Sequence, residues 1–166
     1  AVHGGRIEPG TSLIARLAAG SQFNYYCFEG IRPKNNNALH ITSHRFDEPC
    51  GLQLFCESKV VVTIHACKDR DRVIYVGGRH LELAELIASG LVRLGIDLPR
   101  DKDGSANRYP GMHPDNICNR GMLKKGVQIE IFRGIRDDFK SLYRVADSIK
   151  QSLAWWIRSR EETRSG

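Results

Sequence analysis

The sequence predicts an α/β fold in which a mixed, largely parallel sheet lies between layers of helices. Short apolar runs typical of buried strands alternate with segments whose apolar residues recur at helical spacing. Strands that alternate with helices form a sheet covered on both faces, which is a three-layer sandwich. The chain of 166 residues suffices for one substantial core and shows no internal repeat. We therefore expect a single domain over residues 1–166.

The first half of the chain contains four predicted strands and two predicted helices. Strands are predicted at residues 1–3, 23–28, 39–42 and 60–64. Helices are predicted at residues 12–19 and 47–57, with Thr11 and Asp47 as N-caps and Gly20 ending the first one. Because Ala1 and Val2 look like the last part of a strand, we expect that further residues precede them in the same element.

The second half repeats the alternation around one long polar segment. A strand at 73–76 is followed by a helix at 81–94, and the last strand lies at 127–132. A terminal helix is predicted from Asp137 or Asp138 to about Arg158, with a frayed, charged tail. The segment 99–125 is rich in Gly, Pro, Asn and Asp, and loops of that length in a compact domain usually bind something or are disordered.

The composition limits the classes of function. A formal net charge of +6 favours a polyanionic partner, which could be nucleic acid, an anionic polymer or a membrane surface. No apolar run approaches the ~20 residues of a membrane span, so no spanning segment is expected. Among the three kinds of partner, we do not expect a membrane. The five cysteines form no C-x-x-C pair, which argues against a cysteine-based zinc site. One or two disulfides remain open, since an odd count leaves at least one thiol unpaired.

The start of the chain places a histidine and a carboxylate on a glycine-rich turn. His3 and Glu8 are five residues apart, which does not match one helix face, so they would have to converge through the Gly4–Gly5 turn. The alternative is a capping histidine and a surface glutamate that favours a helix N-terminus. Convergence of the two side chains would place two metal ligands beside the first helix.

A second histidine, His65, ends the most continuous apolar run. If this run and the first residues are neighbouring parallel strands, both histidines leave the same edge of the sheet, where open α/β sheets bind ligands. Two histidines and one glutamate are the ligand set of a hydrolytic zinc site with an open fourth position. Taken alone, His65 could instead be a hydrogen-bonded structural residue.

The last strand carries a glutamate that could act as a catalytic base. Alternation places Glu130 on the face opposite to Val127 and Ile129. On an exposed face it would be an ordinary surface charge, whereas in a central strand it needs a partner or a function. A glutamate beside a zinc site could take a proton from water and pass it to a leaving nitrogen.

Other polar residues are candidates for substrate contact. Arg79, Asn119 and Arg120 could hold a substrate carboxylate, since a guanidinium matches carboxylate geometry. Each single arginine could equally be a solvated surface residue. His40 could support the metal site as a neighbour of its ligands.

Segments along most of the chain resemble the poly-γ-glutamate hydrolase family, which is known from phages and from cellular genomes. In chain order these segments are His3-Gly4-Gly5-Arg6-Ile7-Glu8-Pro9-Gly10-Thr11, Phe28-Glu29-Gly30, Leu39-His40-Ile41-Thr42-Ser43, Phe46-Asp47-Glu48-Pro49, Ile64-His65, Val76-Gly77-Gly78, Asn119-Arg120-Gly121 and Gly126-Val127-Gln128-Ile129-Glu130. No single motif is decisive, but their number and order are specific.

The resemblance implies a fold similar to that of zinc carboxypeptidases and a zinc-dependent amide hydrolase activity with one zinc ion per chain. It implies that His3, Glu8 and His65 match the zinc ligands and that Glu130 matches the catalytic glutamate. Contacts of Arg79, Asn119 and Arg120 with substrate carboxylates follow from the same resemblance.

These observations favour a monomeric zinc hydrolase that cleaves γ-glutamyl amide bonds in poly-γ-glutamate. The implied substrate is an extracellular polymer, which favours an extracellular location. One alternative is a zinc amidohydrolase for another acidic peptide or acyl-amino acid. The other is a non-catalytic, basic nucleic-acid-binding protein associated with replication. Its only support is the positive charge, since the chain shows no recognition-helix pattern, stacking motif or zinc finger.

Overall fold

The computed structural model describes residues 1–99 and 108–165, in which strands and helices alternate. The strands are β1 (Gly4–Gly5), β2 (Glu29–Gly30), β3 (Val62–Cys67), β4 (Ile74–Gly77) and β5 (Val127–Phe132). The α-helices are α1 (Thr11–Ala19), α2 (Pro49–Glu57), α3 (Leu81–Arg93), α4 (Arg133–Arg136) and α5 (Phe139–Ser165). Short 3-10 helices lie at Asn36–Leu39, Ser43–Arg45 and Ile117–Asn119.

A mixed sheet with strand order β3-β5-β4 forms the centre of the molecule, which confirms the predicted α/β class with a mixed sheet. Strand β3 is parallel to the central strand β5, and β4 is antiparallel to it. Helices α1, α3 and α5 pack on one face and share one apolar core with the sheet. The 3-10 helix Ile117–Asn119 contacts β3 and β5, where loops cover the opposite face.

The first residues of the chain do not pair with β3, contrary to the prediction of neighbouring strands. They run beside the segment before β2 instead. The N-terminal nitrogen of Ala1 donates to the carbonyl of Tyr26 at 2.8 Å, and the amide of Phe28 donates to the carbonyl of Ala1 at 3.0 Å. Strands β1 and β2 continue this contact as a separate, two-stranded parallel sheet.

Two segments predicted as strands in the first half of the sequence do not form strands. Residues 23–28 contain no regular strand, and β2 covers only the two residues that follow. The predicted strand at 39–42 is the end of a 3-10 helix followed by irregular chain. Its apolar alternation is real, but the carbonyl of Ile41 bonds to the side chain of His3 at 2.6 Å and not to a neighbouring strand.

The predicted helices are present, with shifted ends. Helix α1 begins after Gly10, whose φ of 93° suits glycine, and Thr11 turns its hydroxyl back to the carbonyl of Glu8 at 2.8 Å. Helix α2 is capped by Glu48 and not by Asp47, because the Glu48 carboxylate accepts bonds from the amides of Cys50 and Gly51.

The C-terminal part differs more from the prediction. The terminal helix α5 begins within two residues of its predicted start, and it continues through the segment that was predicted to fray. A short helix that was not predicted, α4, lies just before it. Part of the long polar segment, residues 100–107, lies outside the described residues. Among the described helices, none combines the length and the apolar character that crossing a membrane requires.

Candidate metal centre

The strands β3 and β5 present a row of polar side chains on the face that points away from the helices. In the parallel register Thr63 lies opposite Gln128, and His65 lies opposite Glu130. Alternation directs these four side chains to one face, while Ile129 and its neighbours enter the helical core. The sheet therefore brings the predicted ligand His65 and the predicted base Glu130 side by side.

The three predicted ligands converge at this point. Nδ1 of His3 lies 3.1 Å from Oε1 of Glu8 and 3.2 Å from Nδ1 of His65. Nδ1 of His65 lies 3.8 Å from Oε2 of Glu8. A tetrahedral zinc ion with bonds of about 2.0–2.1 Å separates its ligand atoms by roughly 3.4 Å. The three separations lie around this value, with Glu8 facing His3 through Oε1 and His65 through Oε2.

The two ring nitrogens of His3 have different partners. Nε2 lies 2.6 Å from the carbonyl oxygen of Ile41, which can only accept, so this nitrogen carries a proton. Nδ1 faces Oε1 of the Glu8 carboxylate at 3.1 Å. A positive charge, either a proton on Nδ1 or a metal ion, therefore has to lie between this nitrogen and the carboxylate.

The protonation of His65 is consistent with a ligand role. Its side chain is 3% exposed, and burial lowers the pKa of its ring to about 3, although the Glu8 charge raises it. The ring is therefore neutral near neutral pH. Ser43 Oγ lies 3.2 Å from Nε2, which fixes the ring orientation and leaves Nδ1 directed at His3.

Glu8 is held as a carboxylate. Its burial favours a higher pKa, but hydrogen bonds with His3 and His40 outweigh this and lower the pKa to about 2. Its Oε2 also accepts the backbone amide of Ala66 at 3.0 Å. This bond ties the loop after β1 to the outer edge of β3, which explains why residues of two separate sheets meet.

His40 lies closer to the centre than the sequence suggested. Its Nε2 is 3.2 Å from Oε1 of Glu8, and its ring stacks on His3 with centroids 3.9 Å apart. The donor atoms of His3, Glu8 and His40 all lie within 4.8 Å of one another. The hydrogen bond to Glu8 raises the pKa of His40. His40 is thus a candidate ligand as well as a neighbour of the ligands.

Glu130 has the protonation behaviour of a general acid or base. Burial, followed by repulsion from Glu8, raises its pKa to about 8. Oε1 accepts a hydrogen bond from Nε2 of Gln128 at 3.1 Å, and Oε2 accepts from the thiol of Cys67 at 3.5 Å. The carboxyl group can therefore gain or lose a proton near neutral pH.

The structure separates the three predicted substrate contacts. The side chain of Arg79 is exposed and forms no hydrogen bond or ion pair with the rest of the described chain. Arg120 is half-buried and donates to the carbonyls of His44, Phe46 and Asp115. These bonds tie two loops together.

Asn119 is 1% exposed, and its amide already bonds to the backbone with both ends. Nδ2 donates to the carbonyls of Gly111 and His113 at 2.7 and 2.9 Å. Oδ1 accepts from the amides of Gly126 and Arg79 at 3.1 and 3.3 Å. Because no hydrogen-bonding position remains free, substrate contact would require breaking one of these bonds.

Arg136 is the main residue that the sequence reasoning missed. Its guanidinium donates to the carbonyls of Cys67 at 2.7 Å and Ile131 at 2.9 Å, and also to that of Pro9. It therefore joins the ends of β3 and β5 to the loop that carries Glu8. Its position just after the last strand was the only available signal.

Comparison with known proteins shows the family to which the sequence is related. A family model described as "Poly-gamma-glutamate hydrolase" matches residues 1–155. Two curated relatives from Bacillus subtilis (strain 168) are the UPF0714 proteins YmaC and YndL. YmaC is 37% identical over 139 residues, covering 82% of this chain and 57% of YmaC. YndL is 35% identical over 150 residues, covering 86% of this chain and 54% of YndL. The chain thus spans about half the length of these relatives.

Two solved structures share the fold. A bacteriophage poly-gamma-glutamate hydrolase matches with a TM-score of 0.84 and 31% identity over 93% of this chain and 81% of that chain. A zinc-free structure of YndL matches with a TM-score of 0.80 and 29% identity over 92% and 81% of the two chains. The α/β architecture is therefore that of solved proteins.

Proposed function

The chain belongs to the poly-γ-glutamate hydrolase family, and from that premise we propose that it is a zinc-dependent hydrolase of γ-glutamyl amide bonds. The observation that carries the proposal is the buried convergence of His3, Glu8 and His65 beside Glu130. Two histidines and one carboxylate form a ligand set that leaves a fourth position open for chemistry.

The donor set fits zinc by chemistry and by spacing. The bond between Nε2 of His3 and the carbonyl of Ile41 leaves Nδ1 as the nitrogen that faces Glu8, and Glu8 is held as an anion. We propose His3, Glu8 and His65 as the ligands, with His40 orienting Glu8 through its hydrogen bond. A zinc ion in this position supplies Lewis-acid polarisation of an amide carbonyl and makes water more acidic.

Glu130 carries the proton transfers in this proposal. Its carboxylate accepts a proton from the attacking water and then donates it to the nitrogen of the leaving amine. A pKa of about 8 suits both steps, because each protonation state is accessible near neutral pH. Burial keeps bulk water from competing for the proton.

The proposed substrate is an anionic polymer whose units each carry a free carboxylate. The net charge of +6 attracts such a polymer over a range that salt shortens. Arg79 has an exposed guanidinium that forms no hydrogen bond or ion pair with the described residues, and it is the candidate for direct contact. Because such a polymer is extracellular, we propose that the enzyme acts outside the cell.

The test combines metal analysis with an activity assay. We expect about one zinc per chain in the wild type and chelator-sensitive shortening of poly-γ-glutamate. His65→Ala should lose both the metal and the activity, whereas His113→Ala, at an exposed histidine, should keep them. Stoichiometric zinc in His65→Ala together with loss of zinc in His40→Ala would assign the third ligand to His40. A wild type that binds no zinc after zinc is supplied contradicts the proposed mechanism.

The substrate is tested separately from the metal. Zinc-loaded protein that leaves poly-γ-glutamate intact but cleaves other acidic peptides or acyl-amino acids would keep the mechanism and change the substrate. Size-exclusion analysis of the polymer before and after incubation distinguishes these results.

A further inference from the structure

Three buried polar side chains form a chain of hydrogen bonds that ends on Glu130. Asn116 Nδ2 donates to Gln128 Oε1 at 2.7 Å, and Gln128 Nε2 donates to Glu130 Oε1 at 3.1 Å. Asn116 and Gln128 are 8% and 7% exposed. Buried amides are costly unless every partner is in place, so this arrangement requires an explanation.

A backbone amide sets the direction of the hydrogen bonds from Asn116 to Glu130. The amide N–H of Cys118 donates to Oδ1 of Asn116 at 3.2 Å, and a backbone N–H can only donate. This identifies the oxygen of Asn116 and turns its NH₂ group towards Gln128. Gln128 must then present its own oxygen to Asn116, so its NH₂ group faces Glu130.

The surroundings prevent Gln128 from moving away. A methyl group added at Gly111 would lie 3.0 Å from Cβ of Gln128, and Gly111 has a φ of 62° that suits glycine. The carbonyl of Gly111 is in turn held by the Asn119 side chain at 2.7 Å. Asn119 therefore acts on this region by holding the loop over Gln128.

We propose that Asn116 and Gln128 are positioning residues that keep Glu130 oriented towards the metal centre as a hydrogen-bond acceptor. This inference rests on the proposed function, because it requires Glu130 to take a proton from water. A donor on Oε1 holds the carboxyl plane in place beside His65. An acceptor at the same place would repel Oε1 and turn the carboxyl group away from this position.

The test reverses the direction of these hydrogen bonds without changing the shape of the side chains. Asn116→Asp keeps the acceptor for the Cys118 amide but replaces the NH₂ group with an oxygen. Gln128 then turns its NH₂ group towards residue 116 and its oxygen towards Glu130. We expect kcat to fall about 10–100-fold with KM and zinc content unchanged, since a hydrogen bond to a charged group contributes one to two powers of ten. Asn36→Asp makes the same substitution at another buried asparagine and should leave kcat within about threefold.

A double variant separates positioning from a general structural effect. Gln128→Leu removes the donor and should lower kcat by a similar factor. Adding Asn116→Asp to Gln128→Leu should then have no further effect on kcat, because Asn116 acts through Gln128. If the losses of kcat in the two single variants multiply in the double variant, the inference is wrong. It is also wrong if the single variants change only KM or only zinc content.

A further variant keeps the two proposals distinguishable. If Glu130→Gln is inactive while Asn116→Asp and Gln128→Leu have wild-type kcat, the positioning inference is wrong and the proposed function stands. If Glu130→Gln retains full activity, the proposed role of Glu130 is wrong, and the inference falls with it.

Discussion

The two faces of strand β5 are both buried, yet they differ in every other respect. Val127, Ile129 and Ile131 are 0% exposed and pack against α1, α3 and α5. Gln128 and Glu130, on the other face, are buried beneath loops and bonded to other polar side chains. One face excludes water by apolar packing, and the other does so while holding an ionisable carboxyl group.

The comparison shows that burial alone does not identify a core. The helix-facing side gains free energy from apolar contact, whereas the loop-facing side must supply a partner for each polar atom. Substitutions on the helical face should therefore change mainly the free energy of unfolding. Substitutions on the other face should change mainly the chemistry.

The largest expected effect is that of Glu130→Gln on activity. Removal of the proposed general base should lower kcat about 10³- to 10⁴-fold, while the amide occupies the same space and zinc content is unchanged. Steady-state kinetics on poly-γ-glutamate and metal analysis measure this. Glu57→Gln, at an exposed carboxylate of α2, should have wild-type kcat.

Ile129→Ala tests the helical face of the same strand. Truncation of this fully buried side chain should lower the free energy of unfolding by about 2–5 kcal/mol, and Ile129→Val should lower it by about 0.5–1.5 kcal/mol. Urea denaturation measures both values. Once corrected for folded protein, kcat should remain within about threefold, and a hundredfold loss would show that the two faces are not separable.

The two faces of β5 should also differ in their contribution to the pH dependence of stability, because only the loop-facing side carries an ionisable group. The pKa of Glu130 rises from about 4.5 to about 8 on folding, so its neutral form stabilises the metal-free protein. This contribution is fully present below pH 4.5 and is lost as the pH rises through about 8. Denaturation of chelator-treated protein between pH 6.5 and 9 should show falling stability in the wild type and a weaker decline in Glu130→Gln. Equal slopes would contradict the raised pKa.

The smallest expected effect is that of Cys67→Ala. The thiol is a weak donor at 3.5 Å from Glu130, so its loss should change kcat less than about threefold and cost about 1 kcal/mol of stability. Kinetics and thermal denaturation check both values. A loss of kcat similar to that in Gln128→Leu would mean that the thiol, too, positions Glu130.

Local patterns were sufficient for much of the architecture. The apolar run before His65 and the alternation around Glu130 each predicted a strand, and both are strands of the central sheet. Helical spacing located α3 to within a residue or two. The prediction of a strand at 39–42 failed because alternating residues form a sheet only beside a neighbouring strand, and no described strand pairs with this segment.

The amino-acid sequence by itself determined which residue types could form a zinc site, and the resemblance of its motifs selected His3, Glu8, His65 and Glu130. Only the tertiary structure decided how they meet. His3 reaches His65 from a different sheet because Glu8 bonds to the amide of Ala66. The contacts of Arg136 and the direction of the hydrogen bonds from Asn116 to Glu130 also join distant segments. Such contacts form only when the folded backbone brings distant segments together. They therefore leave no periodic pattern in the sequence from which they could be predicted.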